Sequence, residues 1–300
     1  MEQLEKRLKE RCPALELRAK EPMAKHTTFR IGGPAALMAL PRTGAEAKTA
    51  VQTARELGIV PFFLGNGSNL LAADEGYPGF VVKLTGDFEE IREVNWSLET
   101  GSAVLLPRLA NALLGRGLTG LEFASGIPGS IGGAVTMNAG AYGGELAQVL
   151  ESVTFLDEAG KVSTLPASAC GFGYRTSIFS HRTCLILKAR FRLEQGKPAE
   201  IKARMEELST KRREKQPIDL PSAGSMFKRP PGHFAAALID QCGLKGLTVG
   251  GAQVSEKHAG FVVNRGGATC ADVLELVNQV KTQVLRQTGV ALEMEVKVLR

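Results

Sequence analysis

Apolar positions along this chain fall into a few recognisable rhythms. Leu4 and Leu8 stand four apart in a charged stretch, which predicts a short helix over residues 2–11. Thr43 and Glu46 form a capping box that opens a helix running to Leu57, with Gly58 as its stop. IVPFFLG is an apolar run of strand length ending in the loop GNGSN, and GFVVKL from Gly79 predicts another buried strand. Residues 91–100 predict a strand and 104–116 a helix closed by Gly117. ESVTFLD and KVSTL, joined by a turn at 158–160, predict a hairpin, followed by a strand in CLILKARFRLE, 184–194. The turn signal at 195–198 marks a boundary. Beyond it come a helix at 199–215, a proline-flanked loop, and a short helix ending at Gly243. A long helix capped by Thr269 and Asp272 follows, with Val273, Val277, Val280 and Val284 on its face and Gly289 as its end. The final segment, VALEMEVKVL, alternates strictly. It predicts a half-buried strand with Val290, Leu292, Met294, Val296 and Val298 on one face and Glu293, Glu295 and Lys297 on the other.

At 300 residues the chain has room for two domains. With 44% hydrophobic and 23% charged residues it is ordinary for a globular protein, which excludes a disordered chain. No apolar run approaches the ~20 residues that span a bilayer. The charged MEQLEKRLKE start lacks the apolar core of a signal peptide. A cytoplasmic monomer without a membrane partner is expected. Cys12, Cys170, Cys184, Cys242 and Cys270 are odd in number and show no CxxC spacing, so reduced, mostly buried thiols are expected. His26, His181, His233 and His258 have no metal-ligand spacing, and no metal is expected. The net charge of +6 permits a nucleic-acid partner. The basic stretch at 202–215 carries no aromatic to stack bases, however, and an anionic small-molecule ligand accounts for the surplus equally well. No nucleic acid is expected.

Glycine changes the picture. There are 34 in 300 residues, above the ~7% of ordinary chains, and nine of them fall in residues 117–144, a stretch that includes GIPGSIGGAVTMNAGAYGG, Gly126 to Gly144. Such a segment can lay its backbone along an extended ligand with little steric bulk, or it can simply pack tightly. GNGSN can form an anion-binding nest or a plain turn. It is no Rossmann fingerprint, since Leu70 occupies the third glycine position, and no P-loop motif occurs. One pyrophosphate-containing cofactor held by both glycine segments fits their charge and length. Ser225, in SAGSMFKRP, is either a positioned hydroxyl near an anion or part of an ordinary loop. Arg175, in GFGYRTSIF, suits bidentate carboxylate or phosphate binding or a surface ion pair.

In order along the chain, HTTFRIGGPA, GNGSNLL, GIPGSIGGAVTMNAGAYGGE, YRTSIF, SAGSMFKRP, AALIDQCGLKG, VSEKHAGFVVN and LEMEVKVL resemble the MurB family of UDP-N-acetylenolpyruvoylglucosamine reductases, flavoenzymes of bacterial peptidoglycan synthesis. The resemblance covers about residues 20–300. It implies an α+β fold: an FAD-binding module of the vanillyl-alcohol-oxidase (PCMH) type over 1–197, in lobes of about 20–85 and 86–197, then a substrate domain over 198–300 whose last strand returns to the FAD module. It implies non-covalent FAD, NADPH as hydride donor, and a UDP-sugar enolpyruvyl substrate reduced to UDP-N-acetylmuramate.

Carried onto this sequence, the resemblance makes Ser225 the proton donor at C2, while Arg175 and Glu295 hold or polarise the substrate carboxylate. Arg30, Gly65, Asn66, Gly67, Ser68, Asn69, Leu70, Gly126, Ile127, Pro128, Gly129, Ser130, Gly132, Gly133, Ala134, Asn138 and Gly140 are its cofactor residues. Tyr142, Tyr174, Lys228, Arg229 and His258 are its substrate contacts. Many relatives carry Asn in place of Arg229. The short stretch from Arg175 to Cys184 leaves no room for the tyrosine-bearing loop of some relatives, so the loop-less subtype is expected. A flavin oxidase of the same superfamily and a non-catalytic FAD or sugar-nucleotide binder are the alternatives.

Overall fold

The computed structural model describes residues 1–94 and 97–300; Asn95 and Trp96, inside the strand expected over 91–100, lie outside the described residues. The chain divides into two compact units. One comprises Met1–Ala19, Ala36–Asn66 and Gly79–Thr210; the other comprises Lys20–Ala35, Gly67–Pro78 and Lys211–Arg300. The chain therefore passes between units five times, the last time after Thr210.

Helix α1 (Glu2–Arg11) buries Leu4 and Leu8 against α2 (Gly44–Glu56), as their spacing predicts. Thr43 caps α2 by accepting from Glu46 N–H at 3.2 Å, while the Glu46 carboxylate accepts from Arg42 N–H at 2.7 Å. Strands β1 (Glu16–Pro22), β2 (Pro34–Leu40), β3 (Phe62–Phe63) and β5 (Tyr77–Val82) form a sheet in the order β1-β2-β5-β3. Leu37, Ala39, Phe80 and Val82 join the helices in one core of the first unit.

The second core of that unit lies on an antiparallel sheet in the order β12-β11-β13-β7-β6. Its strands are β6 (Ile91–Val94), β7 (Ser97–Gly101), β11 (Leu150–Leu156), β12 (Val162–Pro166) and β13 (Leu185–Phe191). The expected 150–166 hairpin is the β11–β12 pair, with Val153 opposite Leu165. Helices α3 (Leu106–Leu114) and α4 (Ile131–Met137) supply Leu109, Leu113, Ile131 and Val135 to this core. Two small pairs complete the unit: β8 (Leu118–Thr119) with β14 (Glu194–Gln195), and β9 (Gly140–Ala141) with β10 (Gly144–Glu145). The turn at 195–198 leads into α5 (Pro198–Lys215), whose Ile201 and Met205 pack on Ala110 of the first unit. Packing of this apolar stripe keeps the first turns of α5 with that unit instead of opening a new one.

In the second unit, α7 (Cys270–Thr288) buries Val273, Leu276, Val277, Val280 and Val284 against α6 (Ala235–Gln241) and a four-stranded sheet. That sheet runs β15-β18-β17-β16, from β15 (Ser222–Ser225), β16 (Thr248–Val249), β17 (Ala252–Val254) and β18 (Phe261–Asn264). Hydrogen bonds from the Thr269 and Gly251 N–H groups hold the Asp272 carboxyl below the ordinary carboxylate range. The strict alternation at the end of the chain overestimates the last strand. Only β19 (Lys297–Leu299) is extended, in parallel with β4 (Leu70–Ala72), and the chain bends at Val296. Two cysteines are buried and three half-buried, and all five are free. Burial pushes the Cys170, Cys184 and Cys270 thiols up to about 11, so they stay protonated at neutral pH.

Asp74 closes the N-terminus of α7. Its two carboxylate oxygens accept from Cys270 N–H at 2.7 Å and Ala271 N–H at 2.9 Å. Asp74→Ala should therefore destabilise the second unit by about 1–3 kcal/mol, read as a lower urea midpoint at unchanged slope.

Candidate active site

The first unit carries one set of the expected residues. Gly65 and the segment Pro128–Ser130 approach so closely that a Cβ on Gly65 would sit 2.5 Å from Ser130 Oγ. Asn66 Nδ2 donates to Pro128 O at 2.7 Å and fixes the two glycine segments to each other. Ser130 opens α4 with extended backbone, yet its hydroxyl caps nothing. It is buried, with no protein partner among the described residues. A buried hydroxyl without a partner is rare and calls for an explanation. Gly133 is exposed, and a Cβ there would meet only Ser130 Oγ, at 3.7 Å. A polar atom in wait beside an open glycine surface fits a dinucleotide phosphate, and so fits the FAD implied by the resemblance.

The glycine loop beyond Asn66 behaves differently. A Cβ on Gly67, at φ 63°, would lie 2.1 Å from His26 O. The protein's own backbone already demands a glycine here. Leu70 is buried on β4.

Arg175 occupies a two-residue turn. Gly173 and Thr176 exchange backbone hydrogen bonds at 3.1 and 3.3 Å, and Arg175 has φ 55°. Positive φ at the second central residue of a turn ordinarily selects glycine or asparagine. The guanidinium donates to Gly140 O at 3.1 Å and lies 5.4 Å from the Tyr174 ring centroid. Tyr142 forms the tip of the β9–β10 hairpin, with φ 54° followed by Gly143 at 85°. Tyr142 and Tyr174 both present exposed rings. Asn138 ends α4 at φ 43° and is 1% exposed. Its carboxamide accepts from Ala147 N–H at 3.0 Å and donates to Gly173 O at 3.2 Å. Among the described residues five non-glycines have positive φ; four of them, Arg30, Asn138, Tyr142 and Arg175, are expected site residues, and Lys20 is the fifth. Each such conformation costs on the order of 1–3 kcal/mol and persists only where the surroundings enforce it.

The second unit carries Ser225, Glu295, Lys228, Arg229 and His258. Backbone hydrogen bonds bring the segments of Ser225 and Glu295 together: Glu295 N–H donates to Met226 O at 2.9 Å, Phe227 bridges Met294, and Lys228 N–H donates to Glu293 O at 2.9 Å. Ser225 is exposed at the end of β15, opposite Phe261 and next to an irregularity in register. Such bulges re-aim side chains. Glu295 is half-buried, not on the solvated strand face that alternation suggests, and Asn69 Nδ2 donates to its carbonyl at 3.1 Å. Lys228 pairs with the Glu293 carboxylate, and Arg229 stacks 4.6 Å over the Phe234 ring. His258 Nδ1 accepts from Gly260 N–H at 3.2 Å, which leaves the ring proton on Nε2. Burial holds its pKa below the ordinary histidine value, so the ring is neutral at pH 7.

The roles of Asp74, Asn69 and Asn138 escape the sequence because each acts on a segment remote in the chain. The positive φ at Arg175 has no local signal either, since neither neighbour is a turn residue.

Two family models match the chain: UDP-N-acetylenolpyruvoylglucosamine reductase, C-terminal domain, over residues 216–299, and FAD binding domain over residues 35–166. The UDP-N-acetylenolpyruvoylglucosamine reductase of Clostridioides difficile (strain 630) is 46% identical over 286 residues, 95% of this chain and 93% of the relative. The protein of the same name from Caldanaerobacter subterraneus subsp. tengcongensis is 46% identical over 98% of this chain and 97% of its own. Among solved structures, UDP-N-acetylenolpyruvylglucosamine reductase (MurB) from Thermus caldophilus is similar at TM-score 0.82 and 38% identity, covering 95% of this chain and 99% of that one. Physcomitrella patens BBE-like 1, at 16% identity and TM-score 0.50 over 64% of this chain and 44% of its own, shares the fold alone. Identity of this order across nearly the whole chain joins the motifs into one assignment: the chain belongs to the UDP-N-acetylenolpyruvoylglucosamine reductase family.

Proposed function

We infer that the protein reduces the enolpyruvyl ether of UDP-N-acetylglucosamine to UDP-N-acetylmuramate, using NADPH and tightly held FAD, as a cytoplasmic monomer. Besides family membership, the observation that carries this reading is the backbone bridge in the second unit, which ties the Glu295 backbone to the residue after Ser225. A flavin oxidase or a passive binder is not favoured, because neither needs a proton donor and an acid side chain fixed in this way.

When bound, FAD supplies the hydride, taken from NADPH and delivered to C3 of the enolpyruvyl group. Gly65, Asn66, Ser130 and Gly133 are the residues read as holding its phosphates. Addition at C3 leaves negative charge on the conjugated carboxylate, and fixed donors aimed there lower the barrier by electrostatic preorganisation. Arg175 supplies two parallel N–H donors to that carboxylate. Ser225 Oγ–H gives its proton to C2, a basic carbon, and the hydroxyl is recharged through hydrogen-bonded neighbours. Glu295 donates to, or holds a water against, the enediolate. Lys228 and Arg229 face the anionic diphosphate, and His258 offers its Nε2–H as a neutral donor.

Gly133→Val should fold normally but purify with much less flavin, whereas Gly67→Val should fail to fold, because its Cβ meets the His26 carbonyl. Circular dichroism and the flavin-to-protein absorbance ratio separate the two; full flavin in Gly133→Val would overturn the phosphate cradle.

In Ser225→Ala, NADPH should still bleach the flavin at the parent rate, while reoxidation by the enolpyruvyl substrate slows by at least ~10²–10⁴-fold. Stopped-flow absorbance resolves the two halves, and equal slowing of both would contradict the assigned role.

Glu295→Gln retains a hydrogen-bond donor where Glu295→Ala leaves none. The Gln variant should therefore turn over faster in the oxidative half-reaction, with NADPH bleaching intact in each. Identical rates for the two variants would remove Glu295 from the chemistry.

A further inference from the structure

Asn138 stands among the residues expected to touch the cofactor, but its side chain is turned into the protein. It is 1% exposed, and both ends of its carboxamide are engaged, the oxygen by Ala147 N–H and the nitrogen by Gly173 O. Gly173 opens the two-residue turn whose second central residue is Arg175, held at φ 55°. The guanidinium of Arg175 in turn donates to Gly140 O, two residues beyond Asn138. Two crossed hydrogen bonds thus join residues 138–140 to residues 173–175, one fixing the turn's backbone and the other its side chain. Asparagine suits the position twice over: it tolerates the left-handed backbone that ends α4, and it offers one donor and one acceptor on a short stem.

We propose that Asn138 is a positioning residue for Arg175, holding the strained Gly173–Thr176 turn so that the guanidinium is presented in one orientation. An arginine at a turn position that favours glycine relaxes readily into other turn geometries unless something outside the turn restrains it. The turn's own bonds, Gly173 N–H to Thr176 O and back, close the loop. Beyond Thr176 the segment is held to α4 by Ser177 Oγ donating to Thr136 O at 2.8 Å; on the Gly173 side it is Asn138 that ties the turn to the end of α4, which Val135 and Ala134 anchor in the core. The catalytic consequence rests on the reading of Arg175 given above; the structural one does not.

Asn138→Asp is the sharpest test. It keeps the acceptor for Ala147 N–H and replaces the donor to Gly173 O with an oxygen. In the flavin-free protein, hydrogen exchange at the Gly173 and Thr176 amides should accelerate while Ala147 stays protected. In the flavin-loaded protein, NADPH should bleach the flavin at close to the parent rate, and reoxidation by the enolpyruvyl substrate should slow by about 10²-fold, the penalty of a roughly 1 Å misplacement. Added to Arg175→Lys, the same substitution should slow reoxidation little further. Asn138→Gly, which keeps the backbone conformation, should expose Ala147 as well and otherwise behave alike. Unchanged exchange at Gly173 and Thr176, undiminished slowing in the Arg175→Lys background, or equal slowing of both half-reactions would overturn the proposal. Loss of fold in both variants would do the same, by giving Asn138 a purely structural role. A parent protein that bound no flavin or ignored the enolpyruvyl substrate would instead defeat the functional reading, and the exchange result would stand.

Discussion

Two peptide hydrogen bonds, from Glu295 N–H to Met226 O and from Lys228 N–H to Glu293 O, set the frame of the second unit's candidate residues. They join segments far apart in the chain and give Ser225 and Glu295 a common frame. Neither side chain could be held by its own segment. Ser225 ends a four-residue strand beside a register irregularity, and Glu295 precedes a bend. What makes the frame rigid is the packing beneath it: Met226 and Phe227 are buried with Leu292 and Val296 in the cluster around α7. That helix is capped at its start by Thr269, Asp272 and Asp74. Stability invested in α7 is therefore felt at the site.

The first unit solves the same problem with strain. Arg175 and Tyr142 sit at turn tips with backbone conformations that their side chains disfavour. A turn of that kind points its side chain in one direction only while its neighbours hold it. Candidate segments far apart in the chain thus depend on one another: Asn66 ties Gly65 to Pro128, and Asn138 ties the end of α4 to the turn of Arg175.

Much of the fold was legible because it is local. The pairing of Leu4 with Leu8, the Thr269 and Asp272 box, the valine face of α7 and the hairpin at 150–166 all follow from periodicity and capping. The errors arise where long-range partners decide. VALEMEVKVL keeps its alternation past the point where the backbone stops being extended, because its partners are two different segments: residues 226–228 for its first half and β4 for its last three residues. Gly67 reads from the sequence only as part of a glycine loop, and that His26 O also demands a glycine there is a long-range fact. Pro198 follows a turn signal, yet the first turns of α5 stay with the first unit through Ile201 and Met205. The candidate site residues were named from the order and spelling of the motifs. The backbone strain and crossed hydrogen bonds that hold them were not, since these arise between segments rather than within one.

The parallel pairing of β4 with β19 has a consequence for how the chain is made. Leu70 meets Lys297, so β4 leaves the ribosome more than two hundred residues before its partner exists. At about 5–20 residues per second, that is a wait of roughly ten to forty-five seconds. For that interval Leu70, Leu71 and Ala72 form a short apolar strand whose parallel partner has not been synthesised, an edge of the kind on which nascent chains aggregate. The first unit can largely assemble while translation continues. The second cannot close until β19 has been made.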